Sequence, residues 1–434
     1  MSRTLLLTAL TLTSLGRAQE VSFSNKLISA DYTYGYGIGL ADLDKDGDLD
    51  IVSSDCTTAG SRKHNDVYWY ENDSKGGFVR HFLARDDWHG RYERLRIADI
   101  NRDSHPDVVI VDNFFGNVSW FENSGHPRDG RLWKKHDITS GGLLGAYDVA
   151  VADIDRDGWL DVAASSWRLG NRFVWYRNPG KPAVGEWQSW VIDSDQAETR
   201  TVAFADFNRD GRPDLLGTVT NNGIVLWYEC PADPKTQPWR RHVIDLVSRP
   251  IHGHPADIDG DGDLDVVMAH GGFEGGGQQE ILWYENVGSP GNGIRWTRHD
   301  IARQVEIAFE AIAADLDGDG RPEVIASAFG KNGGIAWFQH AGDPRGPWTM
   351  RPIVEHWPDA VQIVSGDIDG DGKTDIVGVA ERGSRELRWW RNEAGAPRAA
   401  RLPRTAAWPS FSSLRISVCS RCLRLSRSLD FVAR

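Results

Sequence analysis

Asp42-Leu43-Asp44-Lys45-Asp46-Gly47-Asp48-Leu49-Asp50 carries carboxylates at the first, third, fifth and ninth positions of a nine-residue stretch. Glycine at the sixth position permits a sharp turn, and the seventh carbonyl can then face inward with the carboxylates. Ile51-Val52, apolar and β-branched, follows as the start of a strand. The pattern D-x-[DN]-x-D-x-x-x-[DE] begins again at Asp99, Asp153, Asp206, Asp257, Asp315 and Asp367, at intervals of 51 to 58 residues. Seven copies at such spacing define a repeat protein.

Two further motifs keep the same rhythm. Trp-aromatic followed by a polar pair occurs at Trp69-Tyr70-Glu71-Asn72, Trp120-Phe121-Glu122-Asn123 and in each later unit, ending at Trp389-Trp390-Arg391-Asn392. Aromatic-x-x-His-x-Ile, or Leu in the last place, recurs with His81, His136, His242 and His299, and without the His at Trp190 and Arg351. Each unit thus holds four short β-prone runs, which predicts an all-β, seven-bladed β-propeller of four-stranded antiparallel blades. The seventh unit lacks its fourth run. Phe23-Ser24-Asn25-Lys26-Leu27-Ile28 supplies that pattern at the other end of the chain, so the N-terminal strand is expected to complete the last blade and close the ring. Closure removes the sheet edges that an open solenoid would expose.

Hard oxygen ligands converging without His or Cys suit Ca2+. The candidate ligands are Asp42, Asp44, Asp46 and Asp50; Asp99, Asn101, Asp103 and Asp107; Asp153, Asp155, Asp157 and Asp161; Asp206, Asn208, Asp210 and Asp214; Asp257, Asp259, Asp261 and Asp265; Asp315, Asp317, Asp319 and Glu323; and Asp367, Asp369, Asp371 and Asp375. That gives up to seven structural Ca2+ sites, with the second weakened by Ser104 in the glycine position. They are not EF-hands, because Ser53 stands at the twelfth position where the bidentate Glu belongs. These positions hold 26 of the 62 acids, so the net charge of −13 reports a metal load more than a choice of partner.

The Asp loops resemble those of the FG-GAP/VCBS repeat family, the integrin-α-type propellers, over residues 20–395. The resemblance implies a seven-bladed propeller with Ca2+ at the first hairpin of each blade. It implies no single activity, since members include adhesion domains, lectin-like proteins and sugar-processing lyases and dehydratases.

Function is sought where the repeats differ. Five residues before the first Asp of each unit stand Gly37, Arg94, Asp148, Thr201, His252, Glu310 and Gln362, polar in six of seven, with apolar or small residues next to them. Period-two alternation on the first strand predicts a polar ring facing the central channel. His252, His254, Arg94, Asp148 and Glu310 are the candidate catalytic groups, and His252 with His254 could hold an additional metal ion. Arg96, Tyr92, Trp88, His89, Tyr147, Trp167 and His270 are the candidate ligand-binding residues on the loop-rich face, where aromatics among polar groups suit sugar rings. No Gly-x-Ser-x-Gly, Walker or His-Glu-x-x-His motif is present.

Residues 1–18 read as a signal peptide, with Arg3, an apolar run from Leu5 to Leu15 and Gly16-Arg17-Ala18 as the cleavage site. Residues 19–395 form the propeller. Residues 396–434 carry eight Arg and one acid and read as a basic, disordered tail. Cys56 and Cys230 lie far apart, and one CxxC at Cys419 and Cys422 is too little for a zinc or disulfide framework. The acidic composition argues against nucleic acid, and no later stretch is apolar enough to span a bilayer. The sequence therefore predicts a secreted or periplasmic Ca2+-binding propeller that takes a carbohydrate or other extracellular ligand. A sugar-processing lyase or dehydratase and a protein-adhesion module are the alternatives.

Overall fold

The computed structural model describes residues 21–56, 65–86, 90–271, 279–288 and 295–395. The expected leader at 1–18, Trp88, His89, and the tail with Cys419 and Cys422 lie outside them. The chain divides into two compact units, Met1–Gly395 and Ala396–Arg434, and the described residues all belong to the first.

Seven sheets of four antiparallel strands make up the propeller. In blade 1 the strands are Gly35–Ala41, Asp50–Asp55, Asn65–Asn72 and Phe78–Asp86. The first strands of the other blades are Tyr92–Ala98, Ala146–Ala152, Thr199–Ala205, Pro250–Ala256, Ala308–Ala314 and Ala360–Gly366. Each first strand touches the first strands of two neighbouring blades, and the cycle returns to its start. A closed cycle of first strands is what lines a central axis. Ring closure is as expected: Phe23–Ser29 is the outer strand of blade 7, with Phe23 opposite Asn392 and Lys26 opposite Trp389.

The recurrent motifs are the packing between blades. Trp69, Trp120, Trp175, Trp227, Trp283, Trp337 and Trp389 are at most 3% exposed. His81, His136, His242 and His299 stack on the Trp of their own blade with ring centres 4.2–4.6 Å apart. Each Nε2 lies 2.7–2.9 Å from Glu71, Glu122, Glu229 or Glu285. Trp190 stacks on Trp175 at 4.6 Å, and in blades 6 and 7 the cations of Arg351 and Lys26 cover Trp337 and Trp389. One flat or cationic group over each indole is the common requirement, which explains why His, Trp, Arg and Lys interchange there.

The Asn of the Trp motif is a clamp between blades. Asn72 Nδ2 donates to Ile368 O of the preceding blade at 2.6 Å, and Asn123, Asn178, Asn286 and Asn392 repeat the contact on Leu43, Ile100, Phe207 and Leu316 at 2.8–3.0 Å. Cys230 takes the position in blade 4, buried and reduced like Cys56.

Candidate functional site

At one end of the ring, the Asp loops share one conformation. The fourth and sixth positions are left-handed in all seven, with Gly47, Gly158, Gly211, Gly262, Gly320 and Gly372 at the sixth and Ser104 as the exception at φ 72°. Backbone N–H groups at the fifth or sixth position donate to the first Asp, as Asp46 and Gly47 do to Asp42 at 3.1 Å. The ninth acid is buried and accepts the N–H of the second residue, as Asp50 does from Leu43, and Asp50, Asp107, Asp161, Asp265 and Asp375 also accept the N–H of the Trp-motif Asn. Burial pushes Asp50, Asp107, Asp161 and Asp265 up to about 7, a penalty that a bound divalent cation would reverse.

Five loops bring three carboxylates together, with one ligand oxygen from each within 4.8 Å of the others. The sets are Asp42, Asp44 and Asp50; Asp153, Asp155 and Asp161; Asp257, Asp259 and Asp265; Asp315, Asp317 and Glu323; and Asp367, Asp369 and Asp371. Asp153 Oδ1 and Asp369 Oδ1 are buried with no hydrogen-bond partner. An all-oxygen donor set with orphaned carboxylate oxygens fits a hard divalent cation. Among the described residues, the loops of blades 2 and 4 form no such set of acids, because Asn101 and Asn208 replace the third carboxylate. Cations from the next blade lean on the same loops. Arg128 reaches Asp44 and Asp46 at 2.5 and 2.6 Å, Lys235 reaches Asp155 at 2.9 Å, and Arg345 reaches Asp259.

Midway along the axis, the predicted polar ring exists but faces itself. Arg94, Asp148, Thr201, His252, Glu310 and Gln362 are at most 3% exposed. Arg94 Nη1 donates to Glu310 Oε1 at 2.8 Å, and Glu310 Oε2 accepts the Ile363 N–H at 3.2 Å. His252 Nδ1 lies 3.2 Å from Thr201 Oγ1 and its Nε2 3.1 Å from the Tyr147 hydroxyl. Burial works against the Glu310 carboxylate, yet Arg94 and His254 hold it down at about 2. Burial, with Arg94 and Arg200 nearby, pushes His252 well below the usual range and keeps it neutral. Toward the Asp loops, Arg96 pairs with Asp148 at 3.3 Å and His254 with Glu310 at 2.9 Å.

The candidate catalytic set therefore converges as expected, but as a closed network rather than an open site. Pairing across the narrow axis satisfies charges that the sequence pattern left facing a water-filled channel. His252 and His254 turn to different partners, and neither joins a three-ligand set among the described residues.

The opposite face is built by two register positions. In every blade, the N–H fourteen residues after the first Asp donates to the carbonyl eight residues before it, from Cys56 to Tyr34, Asn113 to Arg91, Trp167 to Gly145, and onward to Glu381 and Asp359. Here the rings of Tyr34 and Trp167 are surrounded by guanidinium groups. Arg91 lies 4.8 Å from the Tyr34 ring centre and 5.9 Å from that of Trp167, Arg168 4.4 Å and Arg200 5.3 Å from Trp167, and Arg382 5.2 Å from Tyr34. Arg168 and Arg382 are exposed, and Trp167 is half-buried. Beneath them, Arg91 Nε pairs with Glu93 at 2.6 Å, and Tyr34 donates to Glu381 at 3.0 Å. Burial pushes both Glu93 and Glu381 up to about 7.

Of the ligand-binding residues expected from sequence, Trp167 lies on this face. Tyr92 and Tyr147 are 1% exposed and His270 is fully buried, so they are packing groups rather than a stacking surface. Tyr92 meets Phe121 edge-on, and burial holds His270 down at about 3. Arg96 belongs to the other end of its strand. Sequence reading missed Tyr34, Arg91, Glu93, Arg200, Glu381 and Arg382. Aligning the seven units at eight before and fourteen after the first Asp would have found Tyr34, Arg91 and Glu381, because those columns vary in chemistry.

Comparison with known proteins agrees with the architecture. A family model described as FG-GAP-like repeat matches residues 99–164, 257–326 and 315–378, each match starting on the first Asp of a loop. An aldos-2-ulose dehydratase of Phanerodontia chrysosporium is 25% identical over 267 residues, covering 52% of this chain. The match covers 28% of that protein, so the chain spans less than a third of its length. Two solved structures of BBS1N in complex with ARL6DN, soaked with lead or mercury, superpose with TM-scores of 0.52 and 0.53 over 89% and 90% of the chain and 100% and 99% of theirs. At 11% identity they share the fold alone.

Proposed function

The chain is an FG-GAP-repeat β-propeller, and from that premise we propose that it is an exported, Ca2+-loaded propeller that binds carbohydrate on the face around Tyr34 and Trp167. The observation that carries this reading is the half-buried Trp167 ring with the guanidinium of Arg168 4.4 Å from its centre. An indole offers the apolar face of a sugar a stacking partner, and guanidinium N–H groups donate to its hydroxyls. The Asp42, Asp153, Asp257, Asp315 and Asp367 loops would hold Ca2+ remote from the ligand, where the ion ties the first two strands of each blade. Calorimetric titration of the Ca2+-loaded protein with a sugar panel tests the proposal. Trp167→Ala is expected to weaken binding about tenfold or more while leaving the Tm near that of the parent. A parent protein that binds no sugar, or a variant that binds as well, rejects it.

A second reading is elimination of water from a keto-sugar, favoured by Glu93 and Glu381, both at about 7 beside Arg91, and by the dehydratase relative. One carboxylate would take the proton from the carbon next to the carbonyl. The C–O bond of the neighbouring carbon would then break, a C=C bond would form, and the other carboxyl would protonate the departing hydroxyl as water. Arg91 would steady the developing enolate oxygen. Incubation with aldos-2-uloses, followed by mass spectrometry for loss of one water, separates the readings: turnover abolished by Glu93→Gln supports elimination, and binding without turnover supports recognition alone.

A further inference from the structure

Beside Trp167, between blades 3, 4 and 5, a pocket of about 270 Å³ is lined by Arg168, Asn171, Ala197, Glu198, Asn221 and Arg249. Most of its acceptors are engaged within the wall, and the buried Glu198 Oε2 is left without a hydrogen-bond partner, 3.7 Å from Arg249 Nη2. Glu198 Oε1 accepts Arg168 Nε at 2.5 Å, Asn171 Oδ1 accepts the Glu198 N–H at 3.1 Å, and Asn221 Oδ1 accepts Arg249 Nη1 at 3.2 Å. The backbone carbonyl of Ala197 accepts the Asn221 N–H at 3.3 Å. What remains is a surplus of donors. In the wall Arg249 Nε is buried with no hydrogen-bond partner, as is Trp167 Nε1 next to the wall residue Arg168, and the amino groups of the lining residues Asn171 and Asn221 are further donors. Two guanidinium groups share the single carboxylate of Glu198, with Arg249 Nη2 3.7 Å from Oε2, so the pocket carries one uncompensated positive charge.

We propose that this pocket binds the carboxylate of an acidic sugar, a uronate unit whose ring lies toward Trp167. The inference rests on the carbohydrate reading above and specifies its ligand class. A donor-rich wall with surplus positive charge selects a group made only of acceptors, and a carboxylate matches the guanidinium fork. A neutral hydroxymethyl group would leave buried donors unpaired. Glu198 keeps Arg168 and Arg249 in place and prevents the two cations from repelling each other out of the wall.

The test compares galacturonate with galactose, which differ only at the carboxylate, by titration into the Ca2+-loaded full chain. Galacturonate is expected to bind about tenfold tighter or better, with a preference that shrinks as salt rises. Arg249→Gln should abolish the preference for galacturonate over galactose. Asn221→Asp, an exposed change that tolerates a charge, should repel galacturonate selectively. Equal affinity for the two sugars overturns the inference and leaves the carbohydrate reading standing. Loss of both sugars in Arg249→Gln at unchanged Tm overturns it as well. Displacement of galacturonate by equimolar inorganic phosphate would also overturn it, by showing a site for any anion. Absence of binding to either sugar by the parent rejects both readings together.

Discussion

The two ends of the ring are made from the same seven units and follow opposite rules. At the Asp-loop end every unit repeats one conformation, down to the left-handed sixth residue and the buried ninth acid. At the other end the backbone link between registers eight before and fourteen after is kept in all seven blades. The side chains there are Tyr, Arg, Gly, Glu, Arg, Ile and Asp in one column and Cys, Asn, Trp, Thr, Gly, Phe and Glu in the other. Constant backbone with varied side chains is how a scaffold presents a recognition surface. Repetition marks what holds the ring together, and departure from it marks what the ring shows to a ligand.

The strongest way to break this contrast is to remove a part of the repeat. Deleting residues 19–29 strips blade 7 of its outer strand and is expected to abolish cooperative melting, whereas removing 396–434 should leave the Tm unchanged. A coincident melt for both truncations would show that closure does not hold the ring. Next in size is a pair of indoles. Trp283→Ala, in the repeated packing, is expected to cost about 3–5 kcal/mol by urea unfolding. Trp167→Ala, on the varied face, should cost well under half of that and express itself in binding.

A third prediction concerns the buried carboxyl of Glu93, raised from 4.5 to about 7. The folded state then holds its proton more tightly than the unfolded chain, so stability falls as pH rises from about 4.5 to 7. Glu93→Gln should remove up to about 2–3 kcal/mol of that slope, and an unchanged pH profile would refute the assignment. The smallest effect sharpens the rule of the loops: Ser104→Gly relieves a left-handed serine at φ 72° and should stabilise the protein by about 1 kcal/mol.

The architecture was legible because its signals repeat. Asp, Trp and His recur at fixed offsets, and Lys26 in the place of the His marks the closing strand. The channel was legible only in part. Period two placed Arg94, His252 and Glu310 on one side of their strands. Whether such groups meet water or each other depends on how closely first strands approach across the axis, which no single strand encodes. Tyr92 and His270 misled for a related reason, since an aromatic in a connecting segment packs under the face as readily as on it. Arg382 went unseen because an exposed arginine is ordinary until a ring is found beneath it.

Closure has a consequence for how the unit can be handled. The N–H of Glu393 donates to the carbonyl of Ser22 at 2.7 Å, so the first and last residues of the propeller stand side by side. The ring is therefore topologically neutral. It can be set into a loop of another protein on one double stalk. It can also be re-cut, its present ends joined by a short tether and new ones opened at any exposed hairpin away from the Tyr34 face.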